Sequence, residues 1–279
     1  MIIVSLNCQM GNQLFQYAFA KATAKRLRVL FLPFQSDPFY PFKLQYFKLD
    51  IFTRFVYSDS KITKLYHRIC RKLIKHVFKQ HIVDSEWEQL TDTKNHAYYR
   101  GFFQSDQYFS GCEESLKKSF RIKREYRNHF ELKYGKLFRE NKIIVVHLRR
   151  TDYAEVEFDG LGGQGVSLPV EYYNKALAGI KNKDEYKILF VSDDIESAKR
   201  DFGHEPNYSF EENSAIVDFQ LIQHADIAII ANSTFSWWAA YLSEKKKSQI
   251  IAPQYWLGFK VQKEYPAGIQ TTKFNWLDF

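Results

Sequence analysis

The chain has 279 residues, 45% of them hydrophobic and 17% aromatic, with a formal charge of +8. That apolar content excludes a disordered chain, and the length allows one large domain or two of about 100–150 residues. Three cysteines, Cys8, Cys70 and Cys112, are odd in number and lack metal-ligand spacing, so neither a disulfide framework nor a structural zinc site is expected.

The N-terminus, from Ile2 to Leu6, reads as a short apolar strand with no basic leader before it, so no signal peptide is expected and the chain reads as cytoplasmic. Cys8 to Gly11 reads as a turn, with Asn12 capping a helix that carries Leu14, Phe15, Ala18, Ala22 and Leu27. Val29 to Leu32 is the next strand. Gly11, Asn12 and Gln13 are either a plain turn and cap or an anion- or hydroxyl-binding helix N-terminus. Residues 36–55 are aromatic and proline-rich without period and read as irregular structure.

Residues 61–81 form a basic amphipathic helix. Lys61, Lys64, Arg68, Arg71, Lys72, Lys75 and Lys79 have no acidic counterpart, while Ile62, Leu65, Ile69, Leu73 and Val77 recur at helical spacing. The apolar row is expected to face the core and the charges to face solvent. The same pattern suits an anionic membrane surface, and the absence of interleaved aromatics argues against nucleic acid. Tyr98 to Ser105 reads as a strand containing Gly101. Charge is dense and periodicity fades at 130–141, which suggests a domain boundary there.

Ile143 to Val146 is a β-branched run that reads as a buried parallel strand, ending in His147, Arg149, Arg150 and Asp152. In open α/β sheets ligands bind at the carboxyl ends of strands. Two adjacent guanidiniums with one neighbouring acid suit a polyanion such as a diphosphate, or else a buried Arg–Asp pair beside one solvated arginine. A glycine-rich stretch follows, Ala154 to Ser167, with Glu155, Glu157 and Asp159 as candidate general bases; it reads as a mobile loop over the site. Helices at 170–180, 194–202 and 215–224 alternate with strands at 187–191, 227–231 and 250–252, the pattern of a doubly wound parallel sheet. Asn232, Ser233, Thr234, Phe235 and Ser236 lie between a strand and a helix, suited to cap that helix or to cradle phosphate. Asp193 and Asp194 invite a metal reading, discounted because Asp194 can cap the next helix and the arginines already supply positive charge.

The motifs H-L-R-R-T-D (147–152), N-S-T-F-S-W-W (232–238), G-N-Q-L-F-Q-Y-A (11–18) and G-F-F-Q-S (101–105) together resemble the bacterial α-1,2-fucosyltransferases, which are related to the α-1,6- and protein O-fucosyltransferases. The resemblance covers nearly the whole chain. It implies an α/β fold of the GT-B type, with two Rossmann-like domains facing across a cleft: residues 1–138 on the acceptor side and 139–279 binding the nucleotide sugar, the last residues packing back on the first domain. It implies inverting, metal-independent transfer of fucose from GDP-β-L-fucose to a glycan hydroxyl, O-2 of a terminal β-galactoside being the usual target, with no cofactor. Arg149 and Arg150 match phosphate-holding arginines, His147 a residue beside the nucleotide and Asp218 an acid that recognises guanine. Asn232 to Ser236 would line the phosphates, and Gly11, Asn12 and Gln13 would face the cleft. Thr151 stands where the α-1,2 group usually has glycine and resembles the α-1,6 branch, in which an acid lies ten residues after the histidine; here that is Glu157. Asp152 and Glu157 both remain candidates for the base. Donors other than GDP-fucose stay open, and a lipid-linked acceptor would bring the protein to the inner face of a membrane.

Overall fold

The structure is a computed structural model that describes residues 1–35, 41–56, 60–245 and 247–279. It divides into two compact units, Met1–Lys123 with Pro266–Ile269, and Arg124–Tyr265 with Gln270–Phe279.

The first unit opens with β1 (Ile2–Ser5), α1 (Met10–Leu27) and β2 (Phe31–Phe34), as the apolar runs require. Gly11 and Asn12 lie inside the first turn of α1 rather than before it, and the cap position is Gln9, whose side chain makes no capping bond. Part of the stretch expected to be irregular, residues 36–40, lies outside the described residues. The remainder contains α2 (Ile51–Val56), which is followed by α3 (Lys61–His76), β3 (Gln80–Val83) and β4 (Ala97–Arg100). The four strands form one parallel sheet in the order β2-β1-β4-β3. The short helix α4 (Glu113–Ser119) completes the unit.

The second unit begins with α5 (Arg124–Glu140), where charge had suggested only a boundary. The helix has few core positions, Phe130 and Tyr134 among them, and Phe130 stacks on His224 with ring centroids 5.1 Å apart. That packing draws α5 into the second unit, so the division falls at 123/124 instead of 138/139. The chain continues through β5 (Lys142–Leu148), α6 (Val170–Ala178), β6 (Tyr186–Ser192), α7 (Ile195–Phe202), β7 (Tyr208–Glu211), α8 (Ala215–His224), β8 (Ile227–Ile229), α9 (Thr234–Tyr241), β9 (Gln249–Pro253) and β10 (Asn275–Leu277).

All six strands are parallel, in the order β10-β9-β8-β5-β6-β7. Strand order therefore reverses between β5 and β8, and the crevice at a doubly wound sheet's carboxyl edge opens at such a reversal. β5 is buried from Ile143 to Leu148, as a central strand covered on both faces must be. The chain's last strand, β10, pairs with β9 in this sheet; it is Pro266–Ile269 that packs with the first unit. The edge strand β7 was not legible as a strand, because Tyr208–Glu211 carries no continuous apolar run.

Candidate functional site

His147 and Asn232 sit at the carboxyl ends of β5 and β8, the two strands that flank the reversal. His147 is 6% exposed and its ring lies 5.6 Å from that of Phe235. Burial holds its pKa down at about 3, so the imidazole is neutral at physiological pH. Its Nδ1 is buried and has no hydrogen-bond partner among the described residues. Asn232 donates from Nδ2 to the Val166 carbonyl at 2.8 Å, and its buried Oδ1 likewise has no partner among the described residues. An unsatisfied buried polar atom costs about 1–3 kcal/mol. Two of them stand together at this end of the sheet, where a ligand or water can satisfy both.

Between them stands the N-terminus of α9. Ser233 occupies its cap position in extended conformation without a side-chain capping bond. Ser236 faces inward and donates to the Ala231 and Ser233 carbonyls at 3.1 and 3.0 Å. It therefore shapes the turn rather than offering its hydroxyl outward. Thr234, Phe235 and Ser236 already belong to the helix, so backbone N–H groups are aimed at this end, which favours an anion.

The two arginines, adjacent in sequence, have different surroundings. Arg149 is 27% exposed. Its Nη2 lies 2.8 and 2.9 Å from the two Asp152 oxygens, its Nη1 lies 3.2 Å from Asp193, and its guanidinium rests 5.4 Å from the centre of the Tyr153 ring. Arg150 is 16% exposed. It donates to Asp201 on α7 at 2.7 Å and to the Leu168 carbonyl at 2.8 Å, with Tyr173 beneath it. Both ends of the Arg150 fork are thus taken by the protein, whereas Arg149 keeps part of its side chain open to solvent. In the sequence one acid, Asp152, neighbours the two arginines; the fold supplies Asp193 and Asp201 as well.

Asp193 is the hub. Its Oδ1 accepts from the Arg150 backbone N–H at 2.8 Å, and its Oδ2 accepts from the Thr151 hydroxyl at 2.5 Å and pairs with Arg149. Thr151 thereby acquires a structural reason that glycine could not supply. Asp194 caps α7 by accepting from the Ser197 N–H at 3.0 Å. Asp193 went unassigned in the sequence because its partners lie more than forty residues away along the chain.

The glycine-rich loop folds back on itself. Gly165 and Val166 donate to the carbonyls of Val156 and Tyr153 at 2.9 and 2.7 Å, and Leu161 and Val166 are fully buried. Gly165 has φ +78°, and a Cβ there would meet the Ala154 carbonyl at 3.0 Å. Glu157 is exposed on this loop and makes no hydrogen bond or ion pair to a described residue. Asp152 is 58% exposed and has both oxygens on Arg149.

Asp218 lies in the first turns of α8, where Asn213 donates to it at 3.0 Å. Burial, with the nearby Glu211 charge adding to it, raises its pKa to about 7. Glu211 itself accepts from the Tyr134 hydroxyl.

Gln13 does not present a free amide. It is 1% exposed; Nε2 donates to the Cys8 and Pro41 carbonyls at 2.9 and 3.0 Å, and Oε1 accepts from the Lys43 N–H at 2.9 Å. It is a staple for the 41–43 segment, which corrects its expected role facing a ligand. Gln13→Ala is expected to lower stability by about 2–4 kcal/mol, since three backbone groups lose their partner. Chemical denaturation would measure that loss, and GDP affinity of the folded protein should be unchanged. Asn12 accepts from Gln104 at 3.1 Å, and Gly11 is buried in the helix. Among the described residues no cluster of three or more His, Cys, Asp or Glu side chains could hold a metal ion.

A parallel sheet with a 3-2-1-4-5-6 order, an uncapped helix N-terminus and a guanidinium at its reversal point define a nucleotide-binding α/β unit of the kind found in GT-B glycosyltransferases. The chain belongs to glycosyl transferase family 11, whose description matches residues 80–276. It is 30% identical to an α-1,2-colitosyltransferase of Escherichia coli over 274 residues, covering 91% of this chain and 92% of that one. It is 34% identical over 133 residues to the O-antigen biosynthesis glycosyltransferase WbnK of Escherichia coli, a match spanning 44% of this chain and 42% of that one. In fold it is similar to the NodZ α-1,6-fucosyltransferase soaked with GDP-fucose, with a TM-score of 0.54 at 15% identity, over 86% of this chain and 91% of that one. A second NodZ structure, from Bradyrhizobium, gives a TM-score of 0.52 at 15% identity, over 85% and 91%.

Proposed function

We propose that the protein transfers L-fucose with inversion from GDP-β-L-fucose to O-2 of a terminal β-galactoside, giving an α-1,2 linkage. The observation that carries this reading is the convergence of Arg149, the open N-terminus of α9, and the unpartnered His147 Nδ1 and Asn232 Oδ1 at the reversal point of the sheet. Diphosphate would meet Arg149 and the α9 N–H groups. The acceptor oxygen attacks C1 of fucose as the C1–O bond to the β-phosphate breaks. Negative charge grows on departing GDP, and a guanidinium already in place stabilises it. The acceptor proton goes to a carboxylate. Glu157 suits that task, because its oxygens are free, whereas both Asp152 oxygens are engaged in orienting Arg149. Arg150, tied to Asp201, holds the strand end in place instead of gripping phosphate. This chemistry draws its positive charge from Arg149, so chelation of divalent metals is expected to leave the rate unchanged. A GDP-linked donor suits a cytoplasmic reaction, and the two Escherichia coli relatives suggest a surface glycan as acceptor.

A second donor is favoured by one relative: colitose is fucose without its 3-hydroxyl, and the relative aligned over nearly the whole chain bears an α-1,2-colitosyltransferase name. Incubation with GDP-fucose, GDP-colitose and UDP-sugars, with a β-galactoside acceptor and NMR assignment of the product, separates these. An α-1,2-fucosyl product supports the proposal, and turnover of GDP-colitose alone replaces fucose in it. Turnover of UDP-sugars only would overturn it.

The Asp218 carboxylate suits the N1–H and 2-amino donors of guanine, and it must be ionised to accept from both. The folded chain holds the Asp218 proton up to about pH 7, while the unfolded chain releases it near pH 4. This group therefore stabilises the fold most below pH 4, and that contribution fades as pH rises through 7. GDP affinity should run the opposite way, tightening as pH rises through about 7. Calorimetric titration between pH 6 and 8 measures it, and Asp218→Asn should flatten the profile. A parental profile that is already flat would remove Asp218 from the base site.

A further inference from the structure

The basic helix does not bury the apolar row that its sequence points to the core. On α3 the buried residues are Thr63, His67 and Cys70. Thr63 donates to the Phe55 carbonyl at 3.2 Å, and the His67 ring nitrogen lies 3.2 Å from the Val56 carbonyl. Cys70 packs with Ile3, Phe34 and Phe78, and Ile74 lies against the same cluster. Ile62, Leu65 and Ile69 are instead 61%, 50% and 48% exposed. The apolar surface extends on to α2, where Ile51 is 77% and Phe52 45% exposed, and the Phe52 ring meets Tyr66 of α3 at 5.9 Å.

At about 100° per residue, α3 divides into three arcs of roughly a third of its circumference each. One arc, through Thr63, His67, Cys70 and Ile74, is anchored in the core. The next, through Ile62, Leu65 and Ile69, is apolar and faces outward, while Leu73, further along the same row, turns in against the core cluster. The third, through Lys64, Arg68, Arg71 and Lys75, is basic and exposed. No aspartate or glutamate occurs from Ser60 to Val83. Cost-free exposure of such a row is unusual in a surface that docks nothing.

We infer that α2 and α3 dock the protein on the surface of an anionic lipid bilayer, with Ile62, Leu65 and Ile69 entering the headgroup–acyl boundary and the basic arc meeting lipid phosphates. An apolar row beside a basic one is what an interfacial helix needs: burial supplies attachment, and charge selects anionic lipid. A second copy of the chain is a poorer occupant, because an isologous contact over the row would bring two basic arcs together. Nucleic acid would use the charges and leave the apolar row in water. No helix among the described residues is long and apolar enough to cross a membrane, so the contact is with the surface.

The test is flotation of the full chain with vesicles of phosphatidylcholine alone and with about a third phosphatidylglycerol. Binding is expected to the anionic vesicles only, and it should weaken as salt rises. Arg68→Gln with Lys75→Gln should weaken it about thirtyfold, at roughly 1 kcal/mol per charge. Ile62→Gln with Leu65→Gln and Ile69→Gln should weaken it at least about tenfold. All five positions are exposed, so both variants should keep the parental melting temperature and the parental rate on a soluble acceptor. Equal binding to neutral vesicles, no binding at low salt, or anionic binding untouched by the triple variant would overturn the proposal. So would a concentration-dependent dimer that the triple variant abolishes, which would assign the row to a second copy.

Discussion

Arg149→Ala is expected to lower the rate of fucosyl transfer about a hundred- to a thousandfold while the protein stays folded. The guanidinium is 27% exposed and stands at the reversal point of the sheet, where charge on the leaving diphosphate would grow. Its removal frees Asp152, which is 58% exposed and can be solvated. Asp193 keeps two donors, the Arg150 N–H and the Thr151 hydroxyl. The stability loss should therefore be small, about 1 kcal/mol or less. Arg149→Lys restores a positive charge without the fork, so it should recover only part of the rate. Single-turnover kinetics with saturating donor, alongside thermal melting, separates the two effects.

Arg150→Ala is expected to do the reverse. Here the side chain is 16% exposed and ties the strand end to α7 through Asp201, itself 28% exposed. Truncation leaves that carboxylate and the Leu168 carbonyl without their donor, at a cost of about 2–4 kcal/mol. Asp201→Ala should cost a similar amount, and the double variant less than the sum of the two, because the pair is broken only once. GDP affinity per folded molecule should change less than tenfold. Denaturant unfolding of the four proteins closes the cycle. Equal loss of GDP binding in the Arg149 and Arg150 variants would mean that both grip phosphate.

The contrast between these neighbours shows what a sequence can and cannot display. β5 was legible because Ile143 to Val146 is an unbroken β-branched run, and such runs belong to strands covered on both faces. The alternation of strands and helices after it fixed the parallel sheet, and the polar residues at 232–236 marked the second strand end. The acids that partner the arginines were not legible, since Asp201 lies 51 residues from Arg150 and only the β5–β6 pairing brings α7 beside it. α5 was missed because so few of its side chains are buried. The apolar row on α3 was legible as a row but pointed the wrong way, because periodicity locates a face without saying what covers it. Gln13 misled for the opposite reason: a polar residue near a strand end can serve the backbone as readily as a ligand.

The most direct test is a crystal structure of the protein with GDP. The diphosphate is predicted within about 3 Å of the Arg149 guanidinium and the first N–H groups of α9, with the guanine edge on Asp218 and new partners for His147 Nδ1 and Asn232 Oδ1. GDP bound away from the β5–β8 reversal, or a diphosphate held by Arg150 with Asp201 displaced, would contradict this account.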